Sequence, residues 1–254
     1  MRVSDICSAI EGFAPLQAAE SWDNSGLIVG SPQDEVHGVM VGFDCTPELI
    51  DEAIGAGCDM VVTHHPLIFK GIRSIDPLDP VGSAIYKAIR GGVAVYASHT
   101  SSDKVLGGVS FAMASRLGLE GVSFLDGDEY GLGAVGDLPK PLSGEQAIEY
   151  VKKAFGLQCL RCSRPVGSVS RVAVCGGSGG SLIEKARLSG AQLYISGDIT
   201  YHQFFTREGF MVMDIGHFES EKDIVPILFD VLRKKFPTFV VHMVSSTKNP
   251  VFYR

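Results

Sequence analysis

Residues 38–66 read GVMVGFDCTPELIDEAIGAGCDMVVTHHP, and this stretch decides the fold class. Gly38–Phe43 is a short apolar run, Pro47 opens a helical pattern, and Asp59–Val62 is a second apolar run ending on Thr63-His64-His65-Pro66. Apolar runs this short, separated by a helix, are strand–helix–strand punctuation and imply parallel strands with helices across their faces. The pattern continues through a helix near Gly82–Arg90 and a strand at Val93–Ala97. Upstream, Ile6, Ile10 and Phe13 put one apolar stripe on a helix around Val3–Phe13, a stripe that packs on a sheet.

After Leu125 the texture changes. Asp126-Gly127-Asp128-Glu129 is followed by Gly131, Gly133 and Gly136, then by Leu138-Pro139-Lys140-Pro141-Leu142, a polar, Gly/Pro-rich transition that reads as a boundary. Beyond it come a helix near Gly144–Phe155, a strand near Val169–Cys175, a helix after Gly180, a strand at Gln192–Ile195, a strand at Phe210–Ile215, a helix to about Phe236 and a strand at Thr238–His242. The expectation is an α/β protein of two lobes, with mainly parallel sheets covered by helices. Residues 1–125 plus 210–254 would form one lobe and 126–209 the other.

A chain of 254 residues with 45% hydrophobic content can bury one large core or two modest ones. The formal charge of −7, without a basic stretch, argues against binding a nucleic-acid backbone but leaves room for a small anionic substrate. Six cysteines lie scattered, mostly in apolar elements, too sparse for a disulfide scaffold and consistent with reduced, cytoplasmic thiols. Asp5 and Glu11 interrupt the N-terminal apolar segment as a signal peptide would not, and no run approaches the roughly 18 apolar residues of a membrane span.

Four polar clusters follow strand-like runs, where α/β proteins assemble their sites: Thr63–Pro66, His99–Asp103, Ser196–His202 and Gly216–Glu221. Adjacent His64 and His65 would face opposite sides of a continuing strand, but at a strand end, with Pro66 holding His65 extended, both imidazoles can address a metal pair. Two hydrogen-bonded histidines in a turn is the bland alternative. Asp103 could bridge two ions, or merely cap a helix. His217 and Glu221, spaced i,i+4, share one helical face. Pro226 either kinks the helix that follows or leaves the first turn as a separate element. Glu219 points elsewhere, to solvent or to a helix cap. His99 and His202 have site-like neighbours suited to acid–base work or to support of a ligand, with Asp198 orienting His202 or capping the helix near Thr200.

Other features carry less. Gly176-Gly177-Ser178-Gly179-Gly180 fits neither the dinucleotide nor the P-loop spacing and reads first as a tight turn, with an anion seat second. Cys159-x-x-Cys162 lacks a partner pair for zinc. His37 and His242 have no companions, and Ser21-Trp22-Asp23-Asn24-Ser25-Gly26 reads as a turn.

Taken together, Trp22-Asp23-Asn24-Ser25-Gly26-Leu27, Thr63-His64-His65-Pro66-Leu67-Ile68-Phe69, His99-Thr100 with Asp103, Ser196-Gly197-Asp198 with Tyr201-His202, and Gly216-His217-Phe218-Glu219-Ser220-Glu221 closely resemble the NGG-interacting-factor-3-like family. Its members are often named GTP cyclohydrolase 1 type 2 homologues. The resemblance implies a two-lobed α/β fold, a dinuclear centre and a toroidal homohexamer. It makes His64, His65, Asp103, His217 and Glu221 the ligands of two divalent ions (Zn, Fe, Mn or Ni) and sets His99 and His202 beside them as catalytic groups. Ser101 stands where the family commonly has Asn, and Phe218 where it commonly has Tyr. The function so implied is a metal-dependent hydrolase with GTP as candidate substrate, opening the purine imidazole ring and releasing formate. The alternatives are a hydrolase for another nucleotide-like substrate and a non-catalytic metal-binding scaffold or regulatory protein.

Overall fold

The computed structural model describes residues 1–245 and 248–253. The chain forms two compact units, Met1–Ser102 with Ile224–Pro250 and Asp103–Asp223 with Val251–Arg254.

The first unit opens with α1 (Val3–Glu11), whose Val3, Ile6, Ala9 and Ile10 are buried. Strand β1 (Gly26–Val29) is followed by β2 (Gly38–Gly42), α2 (Pro47–Gly55), β3 (Met60–Thr63), α3 (Pro80–Gly91), β4 (Ala94–Ala97) and the short α4 (Thr100–Asp103), which runs up to the crossing. The helix boundaries follow from local chemistry. Thr46 accepts the Leu49 amide and Pro47 fills the first turn of α2, while Asp79 accepts the Gly82 amide and Pro80 starts α3. Strands β2, β3 and β4 are parallel, and Gly42 pairs with Thr63 as Thr63 pairs with Ala97. These three strands therefore end level, delivering Phe43-Asp44, His64-His65 and Ser98-His99 to one sheet edge. Beneath them Met40, Leu49, Ile50, Val61, Ala84 and Val95 form the core.

The second unit contains α5 (Val109–Arg116), β5 (Glu120–Asp126), β6 (Leu132–Leu142), α6 (Gly144–Phe155), β7 (Arg161–Cys162), β8 (Val169–Ser178), α7 (Ile183–Leu188), β9 (Leu193–Gly197), β10 (Met211–Asp214) and α8 (His217–Glu221). Its sheet runs β5-β6-β8-β9-β10-β7. The expected parallel character holds for β8, β9 and β10, but β5, β6 and β7 pair antiparallel. Residues 120–142 fold back as a hairpin through Gly127, whose φ of 100° suits glycine. The Leu138–Leu142 stretch expected to be a boundary is thus the end of β6, with Pro139 and Pro141 where pairing shifts and no donor is required.

The chain then returns to the first unit as α9 (Ile224–Lys235) and β11 (Val240–Met243), which pairs parallel with β2 and completes the order β1-β4-β3-β2-β11. Pro226 lies in the first turn of α9, where its missing N–H costs nothing, and α8 stands as a separate short helix. The divisions expected at 125/126 and 209/210 thus differ from those observed at 102/103 and 223/224. Strand pairing is the reason: β5 and β10 are members of the second sheet. Among the described residues, no helix is long and apolar enough to cross a membrane.

Candidate metal centre

In the first unit the double-histidine turn is held by Phe43, whose carbonyl accepts the amides of both His64 and His65 at 3.1 Å. The Thr63 hydroxyl donates to the His65 carbonyl at 2.8 Å. Leaving the strand at this point lets adjacent side chains turn to the same side: the two imidazole centroids lie 4.9 Å apart. The ring of His99 joins them, 5.5 Å from His64 and 5.4 Å from His65.

Each ring of this trio meets an acceptor at Nδ1. His64 Nδ1 lies 3.0 Å from the Ser98 carbonyl, His65 Nδ1 2.7 Å from Asp44 Oδ1, and His99 Nδ1 2.7 Å from Asp23 Oδ1. An acceptor there places the ring proton on Nδ1 and makes Nε2 the basic, ligating nitrogen. Burial of Asp23 opposes its ionisation, but hydrogen bonds from His99, Thr100 and Ser25 outweigh that cost and hold the carboxyl well below the usual carboxylate range.

In the second unit His217 and Glu221 meet across one turn of α8, with Nε2 3.0 Å from Oε2. The Nδ1 of His217 lies 2.8 Å from Asp198 Oδ2. The glycine bend makes room for this pair. A Cβ on Gly177 would stand 2.2 Å from Glu221 Oε1 and one on Gly197 2.8 Å from the His217 backbone. The amides of Gly177 and Gly179 donate to Ser220 Oγ and Ser196 Oγ, so the bend uses them on side chains, as a packing turn does. Asp103 is half-buried in this unit. Burial first, then the charges of Asp103 and Glu221, push the Cys175 thiol up to about 12.

Among the described residues, His64, His65 and Glu221 offer a set that could hold a metal ion. Basic imidazole nitrogens with their other nitrogen tied, together with a buried carboxylate, suit Zn, Fe, Mn or Ni.

Two sequence expectations need correcting. Asp198 orients His217 rather than His202, and its backbone reaches φ 50° to do so. The residue capping the turn at 201–204 is Thr200, while His202 is exposed with its ring beside Tyr201 and Phe205. Glu219 folds back toward Gly216 at the start of α8, where the Tyr253 hydroxyl also lies. The imidazole partners Asp23 and Asp44 were not evident in the sequence. For Asp44 a signal existed, an acid just past a parallel strand beside the histidine-bearing one. For Asp23, within an apparent turn, there was none.

The chain matches the model of the family described as Duf34/NIF3 (NGG1p interacting factor 3) over residues 1–250. It is 35% identical over 236 residues to a Clostridium acetobutylicum protein, covering 90% of this chain and 88% of that one. It is also 35% identical over 259 residues to a Lactococcus lactis protein, covering 100% and 99%. Both relatives are named GTP cyclohydrolase 1 type 2 homolog. Among solved structures, a Bacillus cereus protein related to NIF3 superposes with a TM-score of 0.94 at 22% identity over 100% of this chain and 99% of that one, a likeness of fold.

Proposed function

The chain belongs to the Duf34/NIF3 family, and from that premise we propose that it is a metal-dependent hydrolase with GTP as its candidate substrate, working as a cytoplasmic homohexamer. His64, His65, Asp103, His217 and Glu221 would hold a pair of divalent ions. The observation that carries this reading is the imidazole trio of the first unit, in which every Nδ1 is tied to an acceptor and every Nε2 is left as the basic nitrogen. A divalent ion bound there supplies Lewis acidity, which makes water nucleophilic near neutral pH.

This chain's own groups then do the rest. His99, oriented by Asp23, takes and returns the proton at Nε2, a role for which the exposed His202 is less well placed. In the reaction proposed, one water adds at purine C8, the C8–N9 bond opens, and a second water frees C8 as formate. The relatives' names point the same way.

The test is formate release from GTP by protein loaded separately with Zn, Fe, Mn or Ni, beside Asp103→Ala. Release that depends on metal and disappears in the variant is the expected result. Full metal loading without release from any form would overturn the GTP reading in favour of another substrate or a non-catalytic scaffold. Light scattering checks the hexamer.

A further inference from the structure

Trp22 is the one tryptophan of the chain, and its indole is 62% exposed. Phe69 is also about half exposed. The two rings meet edge to face at 5.9 Å, and both flank His99, at 6.5 Å for Trp22 and 5.9 Å for Phe69. Exposed rings are ordinarily solitary; these pack on each other and on an imidazole.

The backbone on either side of them is stitched down. The Asn24 side-chain Nδ2 donates to the Ile68 carbonyl at 2.5 Å, tying the turn that carries Trp22 to the loop that carries Phe69. Asp23, next to Trp22, accepts from Ser25 at 2.7 Å and from the Thr100 hydroxyl and amide, besides its bond to His99. Two large exposed aromatic side chains therefore sit beside the imidazole trio, flanked by polar bonds of which the Asp23 set is part-buried and the Asn24 bond exposed. An arrangement that keeps apolar area solvated in a fixed geometry is what a stacking platform requires.

We propose that Trp22 and Phe69 form a specificity-determining wall that takes a flat heteroaromatic ring of the purine kind, stacked or edge-packed on the two side chains so that its polar edge faces His99. The purine class rests on the hydrolase reading above; the wall itself rests on this geometry. Selectivity then comes from the ring of the substrate rather than from its phosphates, because the side chains offered by the wall are apolar and no cation is among them.

With a single tryptophan, intrinsic fluorescence reports on the wall directly, in protein without added metal. GTP and guanosine should quench Trp22 saturably, whereas tripolyphosphate and ribose 5-phosphate should not. Phe69→Ala should weaken that binding on the order of ten-fold, by the usual worth of one base–aromatic contact, and Phe69→Tyr should restore it. In turnover, Phe69→Ala should raise KM with little change in kcat, the mark of uniform binding. Circular dichroism of both variants separates a lost contact from a lost fold.

Quenching as strong by tripolyphosphate as by guanosine would overturn the wall. So would a Trp22 shielded from acrylamide and unresponsive to nucleotide, which would mean that a second copy covers it. Formate release from GTP with an unresponsive Trp22 would sink the wall and leave the hydrolase standing. Saturable guanosine quenching without any turnover would do the reverse.

Discussion

In the first unit the candidate ligands His64 and His65, with the proposed acid–base group His99, stand at the level ends of three parallel strands, whose register fixes their imidazoles. In the second, His217 and Glu221 ride on a five-residue helix, α8, seated over a bend of glycines. One half is thus positioned by hydrogen-bonded strands and offers imidazole nitrogens. The other is positioned by the absence of side chains and includes a buried carboxylate. Both use the same device to aim an imidazole, an aspartate at Nδ1: Asp44 and Asp23 in the first, Asp198 in the second. Orientation of a ligand is therefore independent of the scaffold that delivers it, whereas tolerance to substitution is not.

The sharpest test of that contrast is Glu221→Gln, which keeps the shape and removes the charge. Metal content should fall by more than the roughly 10–100-fold typical of losing an outer partner of a ligand, read by elemental analysis after dialysis. Retained metal would show that the imidazoles suffice alone. Gly177→Ala should follow closely, because it sets a Cβ against Glu221 at a φ of 60°. A stability loss of about 1–3 kcal/mol is expected from the backbone alone, together with weaker metal binding, whereas a conservative change of similar size at β3, such as Val61→Ile, should leave metal content untouched. Unaltered binding by Gly177→Ala would mean that the bend is incidental.

Asp44→Asn and Asp198→Asn probe the shared device. An amide can donate to Nδ1 and reverse the tautomer, so each should weaken metal about 10–100-fold, and by similar amounts if the device is independent of scaffold. A large disparity measured by competition with a chelator would break that inference. Asp23→Asn has a smaller effect with a distinctive pH signature. Because the folded carboxyl lies well below its unfolded value near 4, its contribution is complete above about pH 4 and is lost progressively as pH falls from there through the folded value. The variant should be less stable at pH 7, and in denaturant titrations the gap should narrow steadily below about pH 4, closing only once the folded carboxyl itself is protonated. Least of all, Cys159→Ser with Cys162→Ser should leave metal content unchanged, since Cys159 is exposed and Cys162 packs against the core.

How much of this was legible in the sequence depended on whether the signal was local. The apolar runs around residues 38–97 announced β2, β3 and β4, and the i,i+4 spacing announced the meeting of His217 with Glu221. The pairing of Asp198 with His217 was not legible, because it joins residues 19 apart through a left-handed backbone that only the folded sheet imposes. The same holds for Asp23 and His99, 76 residues apart. The Leu138–Leu142 prolines look like a linker and are instead tolerated at the end of β6, where strand pairing lapses.

The late strand β11 sets a schedule for biosynthesis. On the ribosome β2 emerges early, but its outer neighbour is encoded after the whole of residues 103–223. At about 5–20 residues per second, that insertion keeps the β2 edge waiting on the order of ten seconds, while the second unit already has most of its strands. The nascent N-terminal segment therefore spends that interval with an unpaired, wholly apolar edge, the kind of template that recruits other chains. Synthesis of this protein at high ribosome density should accordingly draw on chaperones through its first hundred residues rather than its last.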